Sequence, residues 1–277
     1  MTHGLDPAPI LAWLAPRAIG GIELVSSSGY RRTLRTPSGV AVASATVDAG
    51  SASGVRASGG AEAEAAMAAV FAIDVDAVEA DAHLSEVAAR HGVPLLAASI
   101  ADAPLLRAPG CADPHEMAFR AVVGQQISVA AATGQLRSLA TLGDALPIPV
   151  DGLARVFPTN AQVAAGALDV LRGPVARSEA VARVASALDD GTVVVERGVD
   201  LERMRAQLVA LKGIGPWTAG YVSLRLGDPD VLLLGDSAVR AGARRLGIAD
   251  LPAVAADAAP WRTHLMLHCW RASAMPT

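Results

Sequence analysis

The chain has 277 residues, 52% of them hydrophobic and 18% charged, with a formal net charge of -4. That length buries a sizeable core, charges interrupt every candidate membrane span, and two cysteines exclude a four-cysteine zinc or iron-sulfur site within the chain. The opening "MTHGLDPAPI" lacks a basic segment followed by an apolar one, so no signal peptide is expected, and Cys111 and Cys269 read as free thiols of a reducing cytoplasm.

From Ile19 to about Gly60, "IGGIELVSS", "YRRTLRT" and "GVAVASATV" alternate or favour β-branched residues between Ser and Gly clusters, which predicts an antiparallel sheet. "AEAEAAMAAVFAI" and "DAVEADAHLSEVAARHG" read as helices, the second closed by Gly92 as a C-cap. Strands followed by helices predict a small α+β domain over residues 1–99.

After Pro109 the start signals are those of helices, so residues 100–277 read as an all-α domain without a solenoid repeat. In "DPHE" Asp113 stands at an N-cap, Pro114 at the first helical position and Glu116 where a capping box wants an acid; Thr159 and Gln162 repeat the device. Further helices are expected near 177–190, 200–211, 216–226, 237–246 and 260–272.

The segment "LKGIGPWTAGYV", residues 211–222, predicts a hairpin between two helices over residues 211–217. Gly213 and Gly215 allow positive φ and close approach, and Pro216 opens a helix whose first N-H groups and dipole attract an anion. Such a backbone site grips a phosphate with little net charge, although a plain helix-helix corner fits the glycines too. Charge is also uneven along the chain. Residues 61–90 carry seven acids against Arg90 alone, while residues 201–277 carry nine Lys or Arg against six acids.

Together with "LLLGDSAVR" (232–240), the hairpin resembles the helix-hairpin-helix glycosylase superfamily, and "RAPGCADPHEMAFRAVVGQQISVAAA" (107–132), "PWRTHLMLHCW" (260–270) and "WLAPRAIGGIELV" (13–25) resemble its DNA-3-methyladenine glycosylase II family. The resemblance covers nearly the whole chain. It implies an α+β N-terminal domain beside two helical lobes with a cleft between them. The activity it implies is release of 3-methyladenine and related alkylated bases from double-stranded DNA by a bacterial cytoplasmic enzyme of base excision repair, expected as a monomer, without a membrane or required cofactor.

On that resemblance Asp236 matches the essential aspartate, which stabilises positive charge on the sugar as the C-N bond breaks. An isolated "GD" before a helix is otherwise simply an N-cap. Trp13, Trp217, Tyr221 and Trp270 match positions lining the base pocket, where electron-rich rings favour a cationic base. Trp261 lies off those positions and fits ordinary core packing. Gln125 and Gln126 fall in the segment that enters the minor groove, with Lys212, Gly213, Ile214 and Gly215 as the hairpin's DNA contacts. Two residues depart from the family pattern: Gln126 stands where a leucine wedge is common, and Ser237 where the family can carry an aromatic. The family also implies a structural Na+ or K+ on hairpin carbonyls, here those of Val209, Leu211 and Ile214.

His264 and His268 lie four apart, but with no third ligand nearby they read as core histidines. Relatives that also cut the backbone place a Schiff-base lysine two residues after the second glycine. Here that residue is Trp217, and the sole lysine is Lys212, which disfavours a bifunctional glycosylase/lyase. The competing class is a non-catalytic helix-hairpin-helix DNA-binding module, which needs neither Asp236 nor an aromatic pocket.

Overall fold

A computed structural model describes residues 6–51 and 53–275. Residues 1–5, half of the opening segment read above for a leader, lie outside it. After α1 (Ala8–Leu14) comes an antiparallel meander of β1 (Glu23–Ser26), β2 (Gly29–Thr36), β3 (Gly39–Val47) and β4 (Val55–Ser58), hydrogen-bonded in that order. The register sets Tyr30 against Ala45 and Leu34 against Ala41. Large residues face small ones across the strands, which leaves room for α2 (Ala61–Val70) to bury Met67 beside Tyr30, Leu34, Ala43 and Ala45.

The helices continue as α3 (Ala77–Arg90), α4 (Pro94–Asp102), α5 (Pro114–Val123), α6 (Val129–Ala140), α7 (Asn160–Val170), α8 (Val175–Asp189), α9 (Leu201–Val209), α10 (Pro216–Arg225), α11 (Ser237–Arg245), α12 (Leu251–Asp257) and α13 (Arg262–Ala274). The α+β order expected from the sequence is thus present. The start signals work largely as read: Asp113 accepts from the N-H groups of His115 and Glu116, Thr159 and Gln162 form a reciprocal capping box, and Gly92 follows α3 at φ 63. Between α6 and α7 the helical part also carries a two-stranded ribbon, β5 (Ala145–Val150) and β6 (Leu153–Arg155), turned by Asp151 and Gly152 at positive φ. Among the described residues no helix is long and apolar enough to cross a membrane.

Among the described residues, buried side chains fall into three clusters. One joins α1, α2 and the sheet. A second runs from Ile19 and Ile22 through Phe119 and α6–α9 to Ala219 and Val222 of α10. The third joins Leu84, Val87 and Leu96 of α3 and α4 to Leu224 of α10 and to α11–α13. Cores therefore do not follow chain order, because the helices of 77–102 share their apolar faces with the C-terminal ones. α10 supplies both helical cores, and Tyr221 packs against each of them.

Glu116 is not the capping-box partner that its spacing predicts. It is 2% exposed and accepts from Arg32 and from Arg120 Nε at 2.7 Å, while Glu23 accepts from Arg120, from Tyr30 OH at 2.5 Å and from the N-H of Ile19 at 2.8 Å. An available pair of guanidiniums wins over the helix N-terminus because a buried carboxylate needs opposite charge more than a backbone donor does. Burial pushes the Glu23 carboxyl up, but Arg120 and Arg32 outweigh it and bring its pKa down to about 2. Two acids against two arginines tie the sheet to α5 as a neutral buried unit.

Candidate active site

The hairpin lies between α9 and α10. Gly213 adopts φ +94, a region L side chains resist, and a Cβ there would stand 3.0 Å from Ala180 Cβ. Gly215 corrects the sequence reading: it is extended at φ -98, ψ 171, with open space around its Cα, so neither positive φ nor close packing within the chain requires glycine there. Gly215 and Pro216 start α10 without a side-chain cap, so among the described residues no side chain satisfies the N-H groups of its first turn. Ile214 is buried in the helical core and anchors the loop, while Lys212 and Gly213 are exposed.

The carbonyls around the turn are partly engaged. Leu211 O accepts from the N-H of Ile214 at 3.1 Å, Lys212 O from Arg183 Nη1 at 2.8 Å, and Gly213 O from Gln125 Nε2 at 3.3 Å. Leu211 O keeps a second lone pair, and carbonyl oxygens such as those of Val209, Leu211 and Ile214 are the hard neutral donors a monovalent cation takes.

Asp236 caps α11, accepting at Oδ1 from the N-H groups of Ala238 at 2.8 Å and Val239 at 3.1 Å. The capping reading of "GD" is therefore correct as local structure, yet two indoles from other helices converge on the same carboxylate. Trp217 Nε1 donates to Oδ2 at 2.9 Å and Trp270 Nε1 lies 3.4 Å from Oδ1. Four N-H groups fix the half-buried carboxylate, which a cap alone does not require. Ser237 is exposed beside it at the first position of α11.

From Asp236 an aromatic line runs along α10. The rings of Trp217 and Tyr221 stack with centroids 5.3 Å apart and planes 9° apart, as their spacing of four predicts. Arg225 follows, its Nη1 donating to Tyr221 OH at 3.1 Å and its Cζ 4.2 Å from the centroid of Trp13. Arg17 Cζ lies 4.1 Å from the same centroid. Trp13 thus meets the line through Arg225, and its ring is engaged by two guanidiniums. Sequence reading missed both arginines. The available signal was their spacing, each four residues after an aromatic, Trp13 to Arg17 and Tyr221 to Arg225.

The two glutamines separate in role. Gln125 turns inward, donating from Nε2 to Thr218 Oγ1 at 2.7 Å as well as to the hairpin, and its carbonyl accepts from Arg177 at 3.1 Å. Gln126 is exposed at the turn between α5 and α6 with φ +58. Trp261 packs edge-on to His264, with centroids 5.4 Å apart. His264 and His268 are buried in α13, and no group of three or more metal-ligating side chains exists among the described residues.

A carboxylate fixed at a helix mouth, indoles around it, and a hairpin with uncapped amides define the architecture of a helix-hairpin-helix glycosylase. The solved 3-methyladenine DNA-glycosylase from Archaeoglobus fulgidus superposes with a TM-score of 0.76 at 19% identity, covering 98% of this chain and 96% of that one. An 8-oxoguanine glycosylase/lyase of Clostridium acetobutylicum, solved with double-stranded DNA, gives 0.64 at 13% identity over 92% and 99%. The AlkA N-terminal domain family matches residues 2–113. DNA-3-methyladenine glycosylase 2 of Escherichia coli is 31% identical over 272 residues, 94% of this chain and 92% of that protein, and the chain belongs to this family. The probable bifunctional transcriptional activator/DNA repair enzyme AlkA of Mycobacterium tuberculosis is 33% identical over 268 residues. That match takes in 94% of this chain but 53% of the relative, so the chain spans about half the length of the mycobacterial proteins it matches.

Proposed function

We propose that this chain is a monofunctional DNA glycosylase that flips 3-methyladenine and related alkylated bases out of duplex DNA and hydrolyses the N-glycosidic bond, leaving an abasic site for base excision repair. The observation that carries this reading is the Asp236 carboxylate, held by two backbone and two indole N-H groups. Breaking the C-N bond puts positive charge on the sugar, and a preorganised carboxylate beside it stabilises the transition state. At an effective dielectric of 20, opposite charges ~4 Å apart interact by about 4 kcal/mol, roughly a thousandfold in rate. A bare DNA grip needs no such arrangement.

Trp217, Tyr221 and Trp270 form the wall against which the flipped base rests, with Trp13 and Ser237 at its margins. The uncapped amides of α10 and the turn at Lys212, Gly213, Ile214 and Gly215 hold the phosphate backbone of double-stranded DNA. Gln126 fills the space left by the flipped nucleotide, and Gln125 sets that turn against the hairpin. A Na+ or K+ at the carbonyls of Val209, Leu211 and Ile214 would add charge at the hairpin and no chemistry. We further infer a monomer acting on cytoplasmic, nucleoid DNA, with residues 1–99 and 100–277 as its sequence units.

Trp217 occupies the place of the lyase lysine, so water finishes the reaction. Duplex DNA carrying 3-methyladenine should release free base and leave an intact strand that breaks only in hot alkali. Borohydride added during turnover should trap no protein-DNA crosslink. Absence of base release sinks the enzymatic reading, and a crosslink lost in Lys212→Ala sinks the monofunctional one.

A further inference from the structure

The line of side chains leading away from Asp236 ends in two positive charges without an acid to balance them. Among the described residues neither Arg17 nor Arg225 has a carboxylate within ion-pair distance. Arg225 has a structural explanation: it is 4% exposed and donates to the carbonyls of Pro109 and Gly110 as well as to Tyr221. Arg17 has a weaker one. It is half-buried, donates from Nη1 to Trp13 O at 2.8 Å, and makes no other side-chain hydrogen bond among the described residues. Burial works against its charge, Tyr221 opposes that effect, and Arg225 adds to it. Arg17 thus stacks on the same indole as Arg225 and keeps guanidinium donors to spare at a half-exposed position, where a ligand can reach them.

The chemistry supplies one. In glycosidic heterolysis the electron pair of the C1′-N bond leaves with the base, and water adds its oxygen to C1′ while releasing a proton to solvent. The sugar gains positive charge and the base gains negative charge, whatever the base carried at the start. A cationic base departs neutral, and a neutral base departs as an anion that takes a proton from solvent. A negative group at the sugar end and a positive group at the base end therefore act in the same direction.

We propose that the Arg17 guanidinium contacts the flipped base and draws electron density toward it, as the positive counterpart of Asp236 at the sugar. This rests on the glycosylase reading above. The sign of its effect depends on the lesion. A cationic base is repelled in the ground state and relieved as the bond breaks, so Arg17 weakens its binding and speeds its release. A neutral base is bound indifferently and stabilised only as it leaves. Arg17 thereby widens the range of lesions from cationic toward neutral purines.

The test compares single-turnover kinetics of the parent, Arg17→Gln and Arg17→Lys on duplexes with one N7-methylguanine, a cation, or one hypoxanthine, a neutral base. For Arg17→Gln the saturating rate should fall roughly ten- to a hundredfold on both. The half-saturating concentration should drop for the cationic lesion and stay level for the neutral one, and Arg17→Lys should recover much of the rate. Saturating rates within about twofold of the parent on both lesions would overturn the proposal. So would equal losses on both with weaker binding and no rescue by lysine, the pattern of a merely structural arginine. A parent that releases neither base overturns the glycosylase reading itself, and the proposal with it.

Discussion

Trp217 and Asp236 stand nineteen residues apart in sequence, yet the indole N-H of one donates to the carboxylate of the other at 2.9 Å. The bond joins the first turn of α10 to the mouth of α11, so the hairpin's helix and the carboxylate share one rigid reference. Its removal should be felt in chemistry before it is felt in stability. Trp217→Phe keeps the ring stacked on Tyr221 and deletes the donor. The saturating rate of base release should fall roughly ten- to a hundredfold, as expected for losing a hydrogen bond to a charged group, with a melting temperature within a few degrees of the parent. An unchanged rate would mean that the bond does not orient the carboxylate.

The two hairpin glycines should differ. Gly213→Val forces a β-branched residue into φ +94 and against Ala180, whereas Gly215→Ala meets nothing within 4 Å. Affinity for duplexes of any sequence should weaken about tenfold or more in Gly213→Val and stay near the parent's in Gly215→Ala, measured by fluorescence anisotropy with abasic-site DNA. If Gly215→Ala were the more damaging change, the backbone at 215 would need to approach the phosphate closely.

Acid should destabilise the fold in two windows. Burial first, then Arg107 for His264 and His264 with Arg271 for His268, lowers both imidazoles to about 4, and three of their four ring nitrogens have no partner among the described residues. Their folded pKa lies below the ordinary 6.5, so the unfolded chain binds protons more readily and stability drains as pH falls from about 6.5 to 4. Glu23, held near 2 against an ordinary 4.5, contributes stability above 4.5 that is lost from there toward 2. Denaturant titrations across pH should show both declines, and His264→Phe with His268→Leu should flatten the upper one. A flat profile between pH 6.5 and 4 in the parent would contradict it.

The parts of this molecule legible in sequence are those fixed by local chemistry. Asp113, Thr159 and Asp236 cap helices because a short polar side chain reaches its own backbone, and the Trp217-Tyr221 stack follows from a spacing of four. Long-range competition hides the rest. Glu116 reads as a capping acid until Arg32, 84 residues away, claims it. The β5–β6 ribbon escapes notice because "ALPIPV" carries two prolines and its residues are largely exposed, which gives no alternation to detect. Asp236 itself is located by the family resemblance, while its two indole donors, and the arginines around Trp13, emerge only when α1, α10 and α13 are brought together.

The most direct measurement of the central claim is single-turnover release of 3-methyladenine by Asp236→Asn, run beside its affinity for abasic-site duplex. Asparagine keeps the size and can still accept from Ala238 and Val239, so the cap and the fold persist while the negative charge is gone. The rate should fall by about three orders of magnitude while DNA affinity stays near the parent's. A rate within about tenfold of the parent would contradict it and reduce Asp236 to the cap of α11.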